Sequence, residues 1–128
     1  MRLRLLVCGD RLWGDKEAIR ERILALSPGV IIHGGAQGAD TLAGLAAAEL
    51  GIPTEVYPAQ WVRLGRAAGM IRNQQMLDEG RPDYVLAFHD DLAHSKGTAN
   101  MIRRAEKAGI PVEVWSHTVR LKKEVSDA

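Results

Sequence analysis

Ile31-Ile32-His33-Gly34-Gly35-Ala36-Gln37-Gly38-Ala39-Asp40 is where an apolar run breaks into glycines and a helical pattern begins at once. It reads as a strand, a turn of phosphate size and a helix N-terminus. Glycines at 34, 35 and 38 free the backbone for positive φ and put no Cβ between main chain and ligand, so successive N–H groups can face an anion. The helix that follows brings the positive end of its dipole to the same spot.

Upstream, the apolar run Leu3 to Cys8 ends at Gly9-Asp10 and reads as a first buried strand. Asp15 is placed to cap a helix from Lys16 to Leu26, where Ile19, Ile23, Leu24 and Leu26 recur near helical spacing and Ser27-Pro28-Gly29 makes the stop. Val30 to His33 is the second strand. Downstream, a helix from Ala39 or Asp40 to Leu50 carries Ala43, Ala46, Ala47 and Ala48, small enough to pack closely on a sheet, and stops at Gly51 before Pro53. Thr54 to Tyr57 reads as a third strand, Pro58 to Arg66 as a long connection, and Ala68 to Leu77 as a helix closed by Gly80-Arg81-Pro82. Tyr84 to Phe88 is the fourth strand, His89 to Gly97 a polar loop, Thr98 to Ala108 a helix stopped by Gly109, and Val112 to Trp115 the fifth strand.

Five strands alternating with four helices predict one α/β domain over residues 1–117, a three-layer arrangement with a mostly parallel five-stranded sheet, and a polar C-terminal tail at 118–128. Ligands of such sheets bind beyond the carboxyl ends of the strands, where the strand order reverses. Gly9-Asp10, His33 to Gly38, Ala59 to Arg66 and His89 to Gly97 all fall at such ends.

The chain has 128 residues, room for one domain with one core. Lys and Arg number 17 against 16 Asp and Glu, a formal net charge of +1, which removes the electrostatic case for a nucleic-acid or membrane-surface protein. Anion recognition must therefore be local. A single Cys8 excludes an intramolecular disulfide and fits a reducing compartment, so the cytoplasm is the expected location. Met1 to Val7 lacks the apolar core of a signal peptide, and no uncharged apolar run approaches the roughly 18 residues of a membrane span.

The glycine turn is neither a Walker loop, since no Gly-Lys-Ser/Thr follows, nor the Gly-x-Gly-x-x-Gly of a dinucleotide site. Its plain structural reading is a tight turn. Asp40 in the first helical turn suits a helix cap, a role that contributes about 1 kcal/mol, and is equally able to accept a ribose hydroxyl. Lys96-Gly97-Thr98 supplies a second helix end with a cation and a hydroxyl beside it, unless Ser95 or Thr98 simply caps that helix. Arg72 and Asn73 sit one turn into their helix, an ordinary place for an exposed polar face, after Gly65-Arg66-Ala67-Ala68-Gly69, which permits close backbone approach. His33, His89 and His94 match no zinc spacing, so no metal is expected. Asp90 and Asp91 could serve as acid and base or stand as solvated loop carboxylates, and Trp13 and Trp61 could stack on a base or plug the top of a core.

Val7-Cys8-Gly9-Asp10-Arg11, His33 to Asp40, Gly65 to Leu77, Gly97-Thr98-Ala99-Asn100-Met101 and Ala108 to Val112, in this order, resemble the YspA-like (cpYpsA-related) branch of the SLOG superfamily. These are small Rossmann-like proteins related to LOG phosphoribohydrolases and the DNA-processing protein DprA. The resemblance implies a nucleotide-derivative pocket built from Gly9, Asp10 and Arg11, from Gly34, Gly35, Gln37, Gly38 and Asp40, from Arg72 and Asn73, and from Lys96, Gly97 and Thr98. LOG enzymes cleave the bond between a base and ribose 5′-monophosphate, using a helical Arg and the Glu of a Pro-Gly-Gly-x-Gly-Thr-x-x-Glu motif. Arg72 stands at the matching arginine, but Met101 stands where the Glu would fall and the Pro-Gly-Gly is missing.

The expected function is therefore binding of a nucleotide or ribose-phosphate ligand, as a sensor or a processing protein, with no cofactor. The alternative is a nucleotide N-glycosidase in which Arg72 works with Asp40, Asp90 or Asp91. Single-stranded DNA binding, from the DprA relationship, is opposed by the near-neutral charge and the lack of an aromatic and basic stripe. The resemblance also implies a homodimer.

Overall fold

The computed structural model describes residues 2–117 and 123–124. Strand β1 (Arg4–Gly9) shows why the molecule has three layers. Its side chains alternate across the sheet, so Leu5 and Val7 enter one apolar cluster while Leu6 and Cys8 enter another. Both faces of the strand are buried, as a parallel sheet with helices on each side requires.

On the Leu5 and Val7 face lie α1 (Lys16–Leu26) and α2 (Ala39–Leu50). Ile19 and Ile23 of α1 and Ala39, Ala43, Ala46 and Ala47 of α2 are buried there with Trp13 and Phe88. The alanines let the backbone of α2 approach the sheet, and Gly44 lets it approach His33. On the other face, Met76 and Leu77 of α4 (Ala68–Gly80) and Met101, Ile102 and Ala105 of α5 (Gly97–Lys107) close over Leu6, Cys8 and Ile32.

The remaining strands are β2 (Val30–His33), β3 (Thr54–Val56), β4 (Tyr84–Phe88), β5 (Val112–Trp115) and β6 (Lys123–Glu124), in the order β3-β2-β1-β4-β5-β6. β1 to β5 pair in parallel, confirming the five-stranded α/β expectation. β6 adds two antiparallel residues beside β5, from within the stretch read as a polar tail. The rest of that tail, 118–122 and 125–128, lies outside the described residues. The order reverses between β1 and β4, so the crevice opens above Gly9-Asp10 and the loop after Phe88.

Local signals set most element ends. Asp15 Oδ1 accepts the Ala18 N–H at 3.0 Å, the expected cap of α1. Ser27 ends α1 and Gly51 ends α2 in the left-handed region. One departure concerns the Pro58 to Arg66 connection, which contains a single-turn helix α3 (Trp61–Leu64) and a 3-10 turn over Gly65–Ala67. Four residues are too few for a 3.6-residue period to register. α4 continues past the expected Leu77 to Gly80, which packs against Ile32 and Tyr57, and ends at Arg81 in the left-handed region. No helix among the described residues is long and apolar enough to cross a membrane.

Candidate functional site

The first two glycine turns lock onto each other. Gly38, with φ of 75°, lies against the backbone of Asp10 and Arg11 where any Cβ would collide, and the Ala39 N–H donates to the Asp10 carbonyl at 3.1 Å. A Cβ on Gly9 would strike the Phe88 carbonyl and Ala39. These two glycines therefore serve backbone packing. Asp10 Oδ1 accepts the Leu12 N–H at 2.9 Å, its Oδ2 lies 4.0 Å from His89 Nε2, and Arg11 is exposed.

The turn after β2 satisfies much of itself. Asp40 Oδ2 accepts the Gly34 N–H at 2.9 Å and the Ala36 N–H at 3.3 Å, and His33 Nδ1 accepts the Gly35 N–H at 3.0 Å. Asp40 thus does not cap its own helix, whose N-cap is Gly38 with no side-chain bond. Its carboxylate reaches back because the turn curls over the helix start, so it takes N–H groups that an anion was expected to meet. The N–H groups of Gln37 and Gly38 have no partner among the described residues. Burial pushes the Asp40 carboxyl up from its ordinary value, ahead of the opposing pull of the Ala36 N–H, Arg72 and the Gly34 N–H. Burial, then the Arg72 charge, lowers the His33 imidazole pKa. As Nδ1 accepts, the neutral ring carries its proton on Nε2.

Arg72 joins this turn from α4. Its Nη1 donates to the Gly34 carbonyl at 2.6 Å, with a longer 3.5 Å contact to the Tyr57 carbonyl, and its Nε donates to Asn73 Oδ1 at 3.1 Å. Gly34 leaves room for this contact, since a Cβ there would displace the guanidinium. Asn73 is buried and carries the connection onward, its Nδ2 donating to the Gly97 carbonyl at 3.2 Å and to Asn100 Oδ1 at 3.1 Å. Arg104 Nε also donates to Asn100 Oδ1, at 2.9 Å, and its Nη1 reaches Gln74 Oε1 at 2.8 Å. A continuous polar crest therefore runs from the β2 turn across α4 to the start of α5.

At α5, Ser95 Oγ accepts the N–H groups of Thr98 and Ala99 at 3.1 and 3.2 Å and caps the helix. Lys96 and Gly97 are exposed, Thr98 is buried, and the Thr98 hydroxyl has no hydrogen bond among the described residues. Met101 is 1% exposed, inside the core with Leu6 and Cys8. Asp90 lies elsewhere: it accepts from Ser116 Oγ at 3.2 Å and from the His117 N–H at 2.6 Å. Asp91 pairs with His94 at 2.8 Å. Trp13 is a core plug, 5% exposed, packed on Phe88 and stacked at 4.0 Å on the His117 ring. Trp61 is 58% exposed, against Gly69. No group of three His, Cys, Asp or Glu side chains among the described residues could hold a metal.

Beside the crest, a concavity of about 690 Å³ extends over the outer face of α4, lined by Arg63 and Leu64 of α3, by Ile71, Arg72 and Asp78 of α4 and by Arg104 of α5. The family model described as YspA, cpYpsA-related SLOG family matches residues 3–63, which hold β1, the β2 glycine turn and α2. The Gene 61 protein of Mycobacterium phage D29 is 38% identical over 119 residues, covering 85% of this chain and 93% of that protein. The chain belongs to the YspA, cpYpsA-related SLOG family.

In this SLOG domain the structure brings Gly34, Asp40, Arg72, Asn73 and Gly97 into one connected set, and Gly9, Asp10, Arg11 and Gly38 into the adjoining turn. It does not bring Asp90 or Asp91 to Arg72 through any hydrogen bond or ion pair among the described residues. Asn100, Arg104 and Gln74 were not singled out from the sequence. Asn100 and Arg104 stand four apart on α5, a spacing that places them on one face, but polar residues on a helix ordinarily mean solvent.

Proposed function

We propose that this SLOG protein binds a nucleotide or ribose-phosphate ligand at the carboxyl edge of its sheet, as a sensor or processing protein. The observation that carries this reading is Arg72, a permanent cation fixed 2.6 Å from the Gly34 carbonyl and coupled through Asn73 to the start of α5. Arg72 faces phosphate, Lys96 adds a second cation, and the Gln37 and Gly38 N–H groups with the Thr98 hydroxyl supply donors. Family membership supports a nucleotide-related role.

Binding without hydrolysis is favoured by the carboxylates. Cleavage of an N-glycosidic bond needs an acid or base at the reacting sugar. Asp40 is committed to the glycine turn, Asp90 to His117, and the position of the LOG glutamate is Met101 in the core. Thermal-shift and equilibrium binding with nucleoside mono- and diphosphates test the reading: a shift that Arg72→Ala removes supports it, and no shift with any nucleotide overturns it. Release of free base would move the assignment to the N-glycosidase, and a salt-dependent gel shift would move it to single-stranded DNA. We also propose a homodimer working in the cytoplasm, tested by sedimentation of the purified chain and by fractionation.

A further inference from the structure

We propose that the outer face of α3 and α4 seats a second copy of this chain across a two-fold axis, with Val62 of each copy entering the other's concavity and Arg63 of each meeting the partner's Asp78. This rests on the homodimer reading above and assigns it a surface.

Apolar content and shape are the first support. Trp61 and Val62 of α3 and Ile71 of α4 are exposed, Val62 wholly so, and Leu64 and Met70 are half-buried beside them. The other large exposed apolar side chains, Leu12, Leu24, Leu45 and Val56, stand one to a segment, as single surface apolars ordinarily do. A projecting Val62 beside a concavity of about 690 Å³ walled by Leu64, Met70 and Ile71 is self-complementary, since each copy offers the other both a knob and a hole. Trp, Met and Arg are also residue types enriched at interface centres.

Charge fixes the orientation. Ile71, Gln75 and Asp78, spaced i, i+4 and i+7, form one stripe of α4 on this concavity. Arg63 enters the concavity from α3, at the N-terminal end of α4, while Asp78 and Glu79 stand in the last turn of α4. Asp78 is seven residues beyond Ile71, about 10 Å along the axis at 1.5 Å per residue. Arg63, Asp78 and Glu79 make no ion pair among the described residues, whereas Arg4 pairs with Glu55 and Arg22 with Glu113. Arg63 Nη1 donates to Gln60 Oε1 at 2.9 Å, and Asp78 Oδ1 accepts from Gln74 at 3.0 Å, so both charges are oriented by neutral groups. A face that is basic at one end, apolar in the middle and acidic at the other matches its own copy turned by a half-rotation about an axis near Ile71. In that arrangement α4 runs antiparallel to its mate and each basic end falls on an acidic one. Burial of the apolar centre supplies the affinity, and the charges at the rim set the register.

Sedimentation velocity of the full chain over a concentration series tests the proposal. The wild type should form a dimer. Val62→Glu and Ile71→Asp should raise its dissociation constant roughly a hundredfold by setting a charge in the apolar centre, and Leu45→Glu on α2 should leave it unchanged. Arg63→Glu and Asp78→Lys should each weaken the dimer roughly tenfold or more, because the two-fold axis repeats the like-charge contact. An equimolar mixture of these two variants should recover the dimer, since both contacts across the axis then join opposite charges, and misfolded chains could not produce that recovery. A wild-type monomer overturns the proposal and the homodimer reading together. A wild-type dimer that Val62→Glu and Ile71→Asp leave intact, or that Leu45→Glu dissociates, overturns this face and leaves the homodimer reading standing. Two charge variants that weaken the dimer without recovery on mixing overturn the pairing of Arg63 with the partner's Asp78.

Discussion

Asp40 illustrates how one carboxylate can be read in two ways and act in a third. Positioned in the first turn of α2, it belongs by residue type to the helix dipole, yet its oxygen holds the Gly34 and Ala36 N–H groups. Asp40→Ala leaves these donors unpaired in a part-buried turn and should cost about 1–3 kcal/mol, read as a lowered urea midpoint. Glu113 is the other decisive residue. It is fully buried, 0% exposed, in β5, where it accepts from Arg22 Nε at 2.6 Å, from the Tyr84 hydroxyl at 2.7 Å and from the Trp115 indole. Burial alone would push its carboxyl up, but the Arg22, Trp115 and Tyr84 bonds outweigh it and hold it below the ordinary value. Its contribution to stability is present above that ordinary value and fades as pH falls through the depressed one. Arg22→Met strands the buried charge, with an expected cost of about 3–5 kcal/mol by chemical denaturation. Neither role could be read from residue type, because a lone Glu in an apolar strand or an Asp after a glycine turn has no partner until the chain folds.

At the scale of elements, the segment after β5 is tied across two site loops by His117. Its Nε2 lies 2.9 Å from Asp15 Oδ2, its Nδ1 3.3 Å from Asp90 Oδ2, and its ring stacks on Trp13. The Asp15 bond first, then the Asp90 bond, outweigh the opposing desolvation and raise the imidazole pKa. A raised folded-state value means the interaction stabilises fully below the ordinary imidazole value of about 6.5 and is lost as pH rises through the raised one. His117→Ala should therefore lower the melting temperature at about pH 5.5 and have little effect at about pH 9. His33 works in the opposite sense: its pKa is lowered, so its neutral form supports the fold above the ordinary value and that support wanes on acidification. Most elements were legible from local signals, including α1 with its Asp15 cap, β2, α2 and β4. α3 and β6 were not, since elements of four and two residues carry no period and β6 exists only by pairing with β5.

For the whole molecule, parallel pairing puts the loops after β1, β2, β3 and β4 at one edge, and the reversal of strand order between β1 and β4 opens the crevice among them. If the proposed ligand binds there and not to the unfolded chain, ADP at about one hundred times its dissociation constant stabilises the fold by about 2.7 kcal/mol, read as a rise in melting temperature. Arg72→Ala should abolish the rise.

The sequence by itself determined the α/β class, the parallel order implied by alternating strands and helices, and the grouping of glycine-rich loops at one edge. Hydrophobic period, glycine stops and crossover handedness are local or topological, and they survive without knowledge of partners. Only the tertiary structure decided that the opening turn bonds to itself through Asp40 and His33, that Arg72 rests on Gly34, and that Asp90 serves His117. The last two outcomes depend on residues meeting across 38 positions for Arg72 and Gly34, and 27 for Asp90 and His117, distances at which no local pattern survives.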